Sequence, residues 1–235
     1  MASSYIRGAL VEFMPTLLIP VPNVIIFQYN PETITHTWTQ PPASGAPGNP
    51  LAVKGMPGES FSFTLVMDAN DQIGQGNALA QASGIYSRLA ALEMLLYPTG
   101  APGLASLLGQ VSANISAGGA SIGVSLSGSS TGAIATVPIS QMPTALFVWG
   151  PGRIVPVRVT TLTINEKIYD TLLNPVHAEA QVSLSVLTPD ELAILTDPLA
   201  QVSKAAYAYS QGLRQALAIA NLANAVESII GMIPV

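Results

Sequence analysis

The most restrictive feature of the sequence is a strict alternation of apolar and polar residues over residues 176–187. Every even position from Val176 to Val186 is apolar, and every odd position from His177 to Ser185 is polar. A period of two places successive side chains on opposite faces of a β-strand. The segment therefore predicts an antiparallel sheet with one packed face and one wet face.

Two other segments alternate in the same way. In residues 33–39, Ile34, His36 and Trp38 alternate with threonines, and in residues 60–67 every second residue from Phe61 to Met67 is apolar. Less regular strands are predicted at residues 8–13, 23–29, 144–149 and 153–168, and residues 40–58 predict a long loop rich in proline and glycine. The chain is therefore predicted to be mainly β, in an α+β arrangement.

Helical periodicity is found in two places. Residues 77–96 predict one helix flanking the sheet, and the pattern changes again after residue 187. Thr188, Pro189 and Glu191 supply a capping hydroxyl, a proline at the first helical position and a carboxylate three residues after the cap. A second C-terminal helix is predicted over residues 198–230. Its apolar side is too long for a small sheet to cover, so we expect it to dock on a neighbour.

The predicted domains are a β domain at residues 1–187 and a helical extension at residues 188–235. The β domain contains an insertion at residues 99–140, rich in Gly, Ser and Ala. No charged residue occurs between Glu93 and Arg153. Short strands are predicted within residues 113–124 and 133–139, with a register that glycine leaves weakly specified.

The charge content excludes one class of partner. Only 9% of the residues are charged, 49% are hydrophobic, and the 8 Lys and Arg residues are scattered within a chain of net charge −5. No basic stripe is present to neutralise phosphates, so nucleic acid is not an expected partner. Residues 213–235 are apolar but include Arg214 and Glu227, so a membrane span is not predicted. A neutral surface of this kind suits burial against other proteins.

Catalytic groups are scarce. The chain has no cysteine and 2 histidines, so we predict no enzyme activity and no catalytic, metal or cofactor site. The nucleophile-elbow pattern at residues 128–132 lacks a strand before it and a helix after it. A calcium loop starting at Asp68 lacks the required glycine and glutamate. His36 is predicted to be a hydrogen-bonded core or interface imidazole, and His177 to lie beside Glu179 on a wet strand face.

The order of several motifs resembles a known family. The motifs are Leu10-Val-Glu12, Ile26-Phe-Gln-Tyr-Asn-Pro-Glu32, Phe61-Ser-Phe-Thr-Leu-Val-Met-Asp68, Leu95-Leu-Tyr-Pro98, Pro143-Thr-Ala-Leu-Phe-Val-Trp-Gly150 and Val176-His-Ala-Glu-Ala-Gln-Val-Ser-Leu184. Together they resemble the tube and baseplate-adaptor proteins of contractile injection systems, the phage-tail-like particles, and in particular the N-terminal tube-type domain of the LysM-bearing baseplate protein. Residues 188–235 predict helix where that family often carries its LysM module.

The resemblance implies a tail-tube-like fold, a two-sheet antiparallel β-sandwich or barrel with one flanking helix and a C-terminal helical extension. It implies a structural subunit that forms a hexameric ring, joins the trimeric spike or hub to the inner-tube protein and helps to anchor baseplate and sheath components. The motif residues with an implied structural role are Phe27, Asn30, Pro31, Phe63, Asp68, Pro98 and Trp149. Without a signal peptide, the expected location is the cytoplasm and then the injection particle.

Two alternatives from other classes remain open. One is a monomeric β-sandwich or barrel that binds an apolar small molecule, because strands with aromatic residues and a neutral rim can enclose a pocket. The other, ranked last, is a hydrolase built around Ser130.

Overall fold

The computed structural model of the chain describes residues 5–14, 21–41, 53, 55–97, 111–116, 119–124, 144–195 and 198–230. The strands are β1 (Ala9–Met14), β2 (Val21–Ile26), β3 (Ile34–Thr39), β4 (Gly58–Asp68), β5 (Val111–Ser116), β6 (Gly119–Val124), β7 (Ala145–Val148), β8 (Ile154–Tyr169) and β9 (Pro175–Val186). The helices are α1 (Asn70–Gly74), α2 (Ala78–Ser83), α3 (Tyr86–Met94), α4 (Pro189–Ile194) and α5 (Pro198–Ile230).

Seven of these strands form one antiparallel sheet in the order β2-β1-β7-β8-β9-β4-β3, and β5 pairs with β6 in a separate hairpin. The prediction of a mainly β, antiparallel fold with a few helices is confirmed. The predicted division into two packed sheets is not confirmed, because hydrogen bonding connects all seven strands continuously. Predicted strand 133–139 lies outside the described residues.

Strand β8 joins two parts of the sheet. Its first residues, Ile154–Val157, pair with β7, and the rest of the strand pairs with β9. Val157 alone has a partner on both sides, Ala145 in β7 and Val186 in β9. The register shifts just beyond it, between Val159 and Thr161. A β-bulge bends a strand and increases its twist, so the sheet changes direction where it passes from one neighbour of β8 to the other.

The sheet folds over on itself around β8. Strands β7 and β4 are three strand spacings apart, which would be about 14 Å in a flat sheet. Yet the ring of Phe147 in β7 lies 5.1 Å from that of Phe61 and 5.4 Å from that of Phe63, both in β4. Phe27, just after edge strand β2, lies 5.5 Å from Phe63. The core is therefore the aromatic layer between the two parts of the sheet.

The alternation of β4 and β9 is confirmed by burial. The apolar residues of both strands that face the core are buried, and α3 adds Leu89 and Leu92 to the same core. The predicted strand 23–29 ends earlier than expected, at Ile26. Phe27, which follows the strand and precedes the turn, is 2% exposed and belongs to the core.

The prediction of one helix over residues 77–96 is wrong. α2 ends before Gly84, whose φ is +56°, and α3 begins at Tyr86. The amide of Ile85 donates to the carbonyl of Pro175 over 2.8 Å, which directs the chain toward the start of β9. The preceding segment contains the short helix α1.

The C-terminal helices pack on β8. The predicted capping box is confirmed, with Thr188 and Glu191 each accepting from the other's backbone amide. In α5 the sheet-facing positions are small or polar: Ala200, Ser203 and Ser210 are buried. The hydroxyl of Ser210 donates to the carbonyl of Ile154 over 2.7 Å and accepts from its amide over 3.2 Å. These contacts fix the first half of α5.

Candidate functional site

The section β8-β9-β4-β3 of the sheet has two long open edges within the part of the chain that is described. β3 is the last strand on one side and pairs only with β4. On the other side, residues 158–169 of β8 pair only with β9, because β7 ends opposite Val157. An open edge presents a row of unpaired backbone donors and acceptors that can pair with another chain. The section β8-β9-β4-β3 therefore has a free edge at each end.

The exposed face of this section is rich in hydroxyl groups. The register aligns Thr35, Ser62, Ser183 and Thr161 in one row across all four strands. We call this surface the hydroxyl-rich face, formed by Thr35, Thr37, Ser60, Ser62, Thr64, Thr161, Thr163, Ser183 and Ser185. Its charged residues are at the margins, for example Arg158 opposite Ser185 and Glu179 opposite Asn165. Such a face is polar and nearly uncharged.

The turn between β8 and β9 presents two exposed leucines. Leu172 is 73% exposed and Leu173 is 79% exposed. Leu173 has a φ of +63°, a left-handed conformation that costs a residue with a Cβ about 1–2 kcal/mol. The carboxylate of Asp170 holds the turn by accepting from the amides of Leu172 and Asn174, each over 2.8 Å. We call this ordered apolar projection, formed by Leu172 and Leu173, the leucine tip.

A buried charge cluster connects α5 to edge strand β3. Glu59 of β4 is only 6% exposed; its Oε1 lies 2.6 Å from His36 Nε2, and its Oε2 accepts from Arg214 Nη1 over 2.8 Å. Burial raises the pKa of Glu59, but Arg214 and then His36 outweigh it, so this pKa lies below its ordinary value. Burial also lowers the pKa of His36, and Glu59 only partly opposes this effect.

Aromatic rings surround that cluster. The His36 ring stacks on Phe61 with 4.0 Å between centroids, and the centroid of the Trp38 ring lies 3.6 Å from that of His36. The guanidinium of Arg153 lies 5.3 Å from the Phe61 centroid. The predicted role of His36 as a hydrogen-bonded imidazole is confirmed. Every polar side chain here has a structural partner, so the cluster stabilises the docking of α5 on the sheet.

A second carboxylate group lies at the opposite end of β4. Asp68 accepts from the amide of Asn70 over 2.7 Å, and its Oδ2 lies 3.0 Å from His177 Nδ1. Burial raises the pKa of Asp68, but these bonds outweigh it and the pKa is lowered. His177 therefore pairs with Asp68, whereas Glu179, its predicted neighbour on the wet face, pairs with Lys167.

One buried carboxylate has no cationic partner among the described residues. Glu12 of β1 is 2% exposed and accepts from Asn23 Nδ2 over 3.2 Å. Burial raises its pKa, and the bond from Asn23 only partly opposes this. Among the described residues no three His, Asp or Glu side chains form a group that could hold a metal ion.

Most of the motif residues singled out in the sequence have structural roles. Phe27 and Phe63 are buried in the aromatic core, and Trp149 lies 6.4 Å from Phe27. Asn30 accepts from the amide of Gly8 and donates to the carbonyl of Ile6, each over 2.9 Å. It thereby ties the Asn-Pro turn, which includes Pro31, to the segment before β1.

Asp68 joins the same region, because its amide donates to Gln28 Oε1 over 3.0 Å. Pro98 and Ser130 lie outside the described residues. The six described motif residues therefore lie in or against the aromatic core, in the Asn-Pro turn and at the end of β4.

Sequence reasoning missed Glu59, Arg153 and Arg214. One signal was available for Glu59, because extending the alternation of β4 backward by one residue places it on the same side as Phe61 and Phe63. For Arg214 the signal was a single cation in an otherwise neutral stretch of helix. That these two residues pair is a tertiary contact across 155 positions, which no local pattern contains.

Comparison with known proteins adds no relationship. A scan against models of protein families and a search of curated proteins found no match to this chain. Across the described residues, none of the helices combines the length and the apolar character needed to cross a membrane.

Proposed function

We propose that this chain is a structural subunit of a contractile injection particle. In this proposal six copies form a ring that joins the trimeric spike or hub to the inner-tube protein and helps to anchor the baseplate. The proposal starts from the resemblance of the motif order to the tube and baseplate-adaptor family. It is supported by the two open edges of the section β8-β9-β4-β3, which are the observation that carries it.

The open edges provide a way to close a ring. β3 of one copy would pair with residues 158–169 of β8 in the next copy, so that the four-stranded sections join into one continuous sheet. A heterologous contact closes into a ring when its rotation allows it, and closure leaves no edge free to aggregate. The hydroxyl-rich face would then line a water-filled channel, for which a polar and nearly uncharged surface is suitable.

The bend at β8 supports a tail-tube-like arrangement in two layers. On one side of Val157 lie β7, β1 and β2, and on the other lie β9, β4 and β3. Because the rings of Phe147 and Phe61 meet between them, the two parts face each other as the layers of a sandwich do. In the ring the first part would form the outer layer and the second the channel wall.

The exposed apolar groups support contact with adjacent layers of the particle. The leucine tip after β8 and residues 215–222 of α5 are exposed, and Leu217, Ile219 and Leu222 are large apolar side chains among them. Exposed apolar surface of this extent marks an interaction site in a monomer. The inner-tube protein, the spike or hub and the baseplate and sheath components are the proposed partners.

The alternative of a monomer binding an apolar small molecule is less well supported. Such a protein needs a cavity between its layers, and in the described residues that space is filled by the rings of Phe27, Phe61, Phe63 and Phe147. This alternative predicts a melting temperature that rises with an apolar ligand.

Mass photometry with negative-stain electron microscopy tests the ring. We expect particles of six 24.3-kDa chains, alone or after addition of tube and spike proteins. Hydrogen exchange then tests the contact: the alternate amides of β3 and of residues 158–169 that do not bond to β4 or β9 should be protected in the ring and should exchange in the monomer. The amides of β9, which has a partner strand on each side, should be equally protected in both and act as the control. A chain that stays monomeric with tube and spike proteins would refute the proposal.

A further inference from the structure

The second half of α5 leaves the body of the protein. Among the described side chains of α5, Arg214 makes the last contact with the sheet, to Glu59, and residues 215–222 are all exposed. We call residues 215–230 the outer helix. Three large apolar side chains project from its described part: Leu217 is 62% exposed, Ile219 is 70% exposed and Leu222 is 63% exposed. At 1.5 Å per residue, the outer helix extends about 24 Å beyond that contact.

An apolar groove runs beside edge strand β2. It lies between β2 and α3, has a volume of about 290 Å³ and is lined mainly by Val24, Ile26, Leu65, Met67 and Leu92, with Arg88 among the lining residues. Val24 is 48% exposed and Ile26 is 61% exposed. We call it the β2 groove. It combines an open strand edge with apolar side chains, two features that soluble proteins normally cover.

The two surfaces match in polarity and charge. The outer helix has no charged residue from Gln215 to Val226, and Glu227 is its single charge. Arg88 donates to Gln28 in the β2 groove, and no described carboxylate lies within ion-pair distance of it. An apolar helix that carries one acidic residue thus complements an apolar groove that carries one cation. Helices bind grooves of this kind through apolar residues three or four positions apart, a spacing that Ile219 and Leu222 have.

The occupant of the β2 groove is not the chain's own outer helix. Residues 215–222 are exposed, so they do not fill a groove of the same molecule. α5 is anchored on β8, which is separated from β2 by β7 and β1. A second copy can supply the helix without any change in how α5 is anchored.

We propose that the outer helix of each copy lies in the β2 groove of a second copy. The contact is head-to-tail, since helix and groove are different surfaces, and such contacts generate rings when they close. This inference rests on the proposed function and adds a second contact to the ring. In the ring, the strand edges connect the channel walls of neighbouring copies. The outer helix covers β2, which is the open edge of the outer layer.

Disulfide trapping between copies tests this contact, because the natural chain has no cysteine. Ile26→Cys and Leu222→Cys are made in separate chains, mixed and oxidised, and the products are separated on a non-reducing gel. We expect a disulfide-linked species that contains one chain of each kind. Thr35→Cys mixed with Leu222→Cys is the matched control, since Thr35 is also exposed but lies on the hydroxyl-rich face, and we expect no such product. Leu222→Glu should weaken self-association at least tenfold without changing the circular dichroism spectrum of the monomer.

The outcomes separate this inference from the proposed function. Six-membered rings without the Ile26–Leu222 product, or with equal trapping at Thr35, overturn the helix contact and leave the ring intact. A trapped pair in a chain that forms no ring supports the helix contact and overturns the ring. A monomer without trapping overturns both.

Discussion

At the scale of single residues, Glu59 shows how a buried charge can specify where a helix docks. Its carboxylate lies under α5 with one partner on β3 and another on α5. A buried carboxylate is costly unless it is paired. α5 packs on β8 through small and hydroxyl-bearing side chains, which bury little apolar surface. The pairing with Arg214 therefore supplies specificity that the packing of α5 alone lacks.

Arg214→Ala should lower the free energy of unfolding by about 1–3 kcal/mol, because it leaves Glu59 buried with His36 as its remaining partner. Arg158→Ala is the matched control: Arg158 is exposed on the margin of the hydroxyl-rich face, and its loss should change stability by no more than about 0.5 kcal/mol. Urea unfolding of the two variants measures both values. Equal effects would show that the Glu59 cluster does not hold α5.

The same cluster predicts that stability falls with acidity. The pKa of His36 is lowered from 6.5 by burial, so its imidazole binds a proton more readily in the unfolded chain than in the folded one. The free energy of unfolding that this residue contributes above pH 6.5 is therefore lost as the pH falls through the folded pKa. The pKa of Glu59 is also lowered, from 4.5, which adds a second loss below pH 4.5. Unfolding free energies from pH 7.5 to 3.5 should therefore decrease in two stages.

His36→Gln tests the assignment of the first stage. The variant should show a flatter profile between pH 7.5 and 5.5 and keep the decrease below pH 4.5. If the variant and the natural chain lose the same stability above pH 5.5, another group is responsible.

At the scale of elements, the break between α2 and α3 depends on Gly84. A Cβ at this position would lie 2.1 Å from the carbonyl oxygen of Pro175, and the φ of +56° disfavours any residue with a Cβ. The break allows α3 to turn its apolar side, with Leu89 and Leu92, onto the core while the chain contacts the start of β9. A continuous helix could not make both contacts.

Gly84→Ala should destabilise the fold by about 2–5 kcal/mol, because backbone strain and a clash with backbone atoms act together. Gly212→Ala provides the opposite control: Gly212 lies inside α5 with no atom within 4 Å of its added Cβ, so the change should stabilise by about 0.5–1 kcal/mol. Thermal unfolding followed by circular dichroism distinguishes the two. A neutral Gly84→Ala would show that the contact with Pro175 is dispensable.

The elements that could be predicted from the sequence are those with a local signal. The period of two in β4 and β9 and the capping box of α4 depend on neighbouring residues alone, and the structure reproduces them. The break at Gly84 and the pairing of Glu59 with Arg214 depend on residues brought together by the fold. The aromatic core was predicted only in part. The motif order singled out Phe27, Phe63 and Trp149, but the central position of Phe147 depends on how the sheet folds.

At the scale of the whole molecule, the folding of the sheet around β8 determines which surfaces remain free. Because the two parts face each other, their apolar sides are covered without a partner. Within the described residues, the open edges, the leucine tip, the β2 groove and residues 215–222 of the outer helix are left uncovered. The surfaces available for assembly are therefore the margins of the sheet and the projections from it.

Phe147→Ala tests whether the aromatic layer holds the two parts together. The Phe147 ring contacts those of Phe61 and Phe63 across the fold and those of Phe27 and Trp149 beside it, so its removal should cost about 3–5 kcal/mol. Tyr97→Ala, at a residue 53% exposed, should cost no more than about 0.5 kcal/mol. Hydrogen exchange of the Phe147 variant should show lost protection in β1 and β4 together, because each is covered by the other part of the sheet. If β1 alone loses protection, the two parts are independent units and the ring would depend on the section β8-β9-β4-β3 alone.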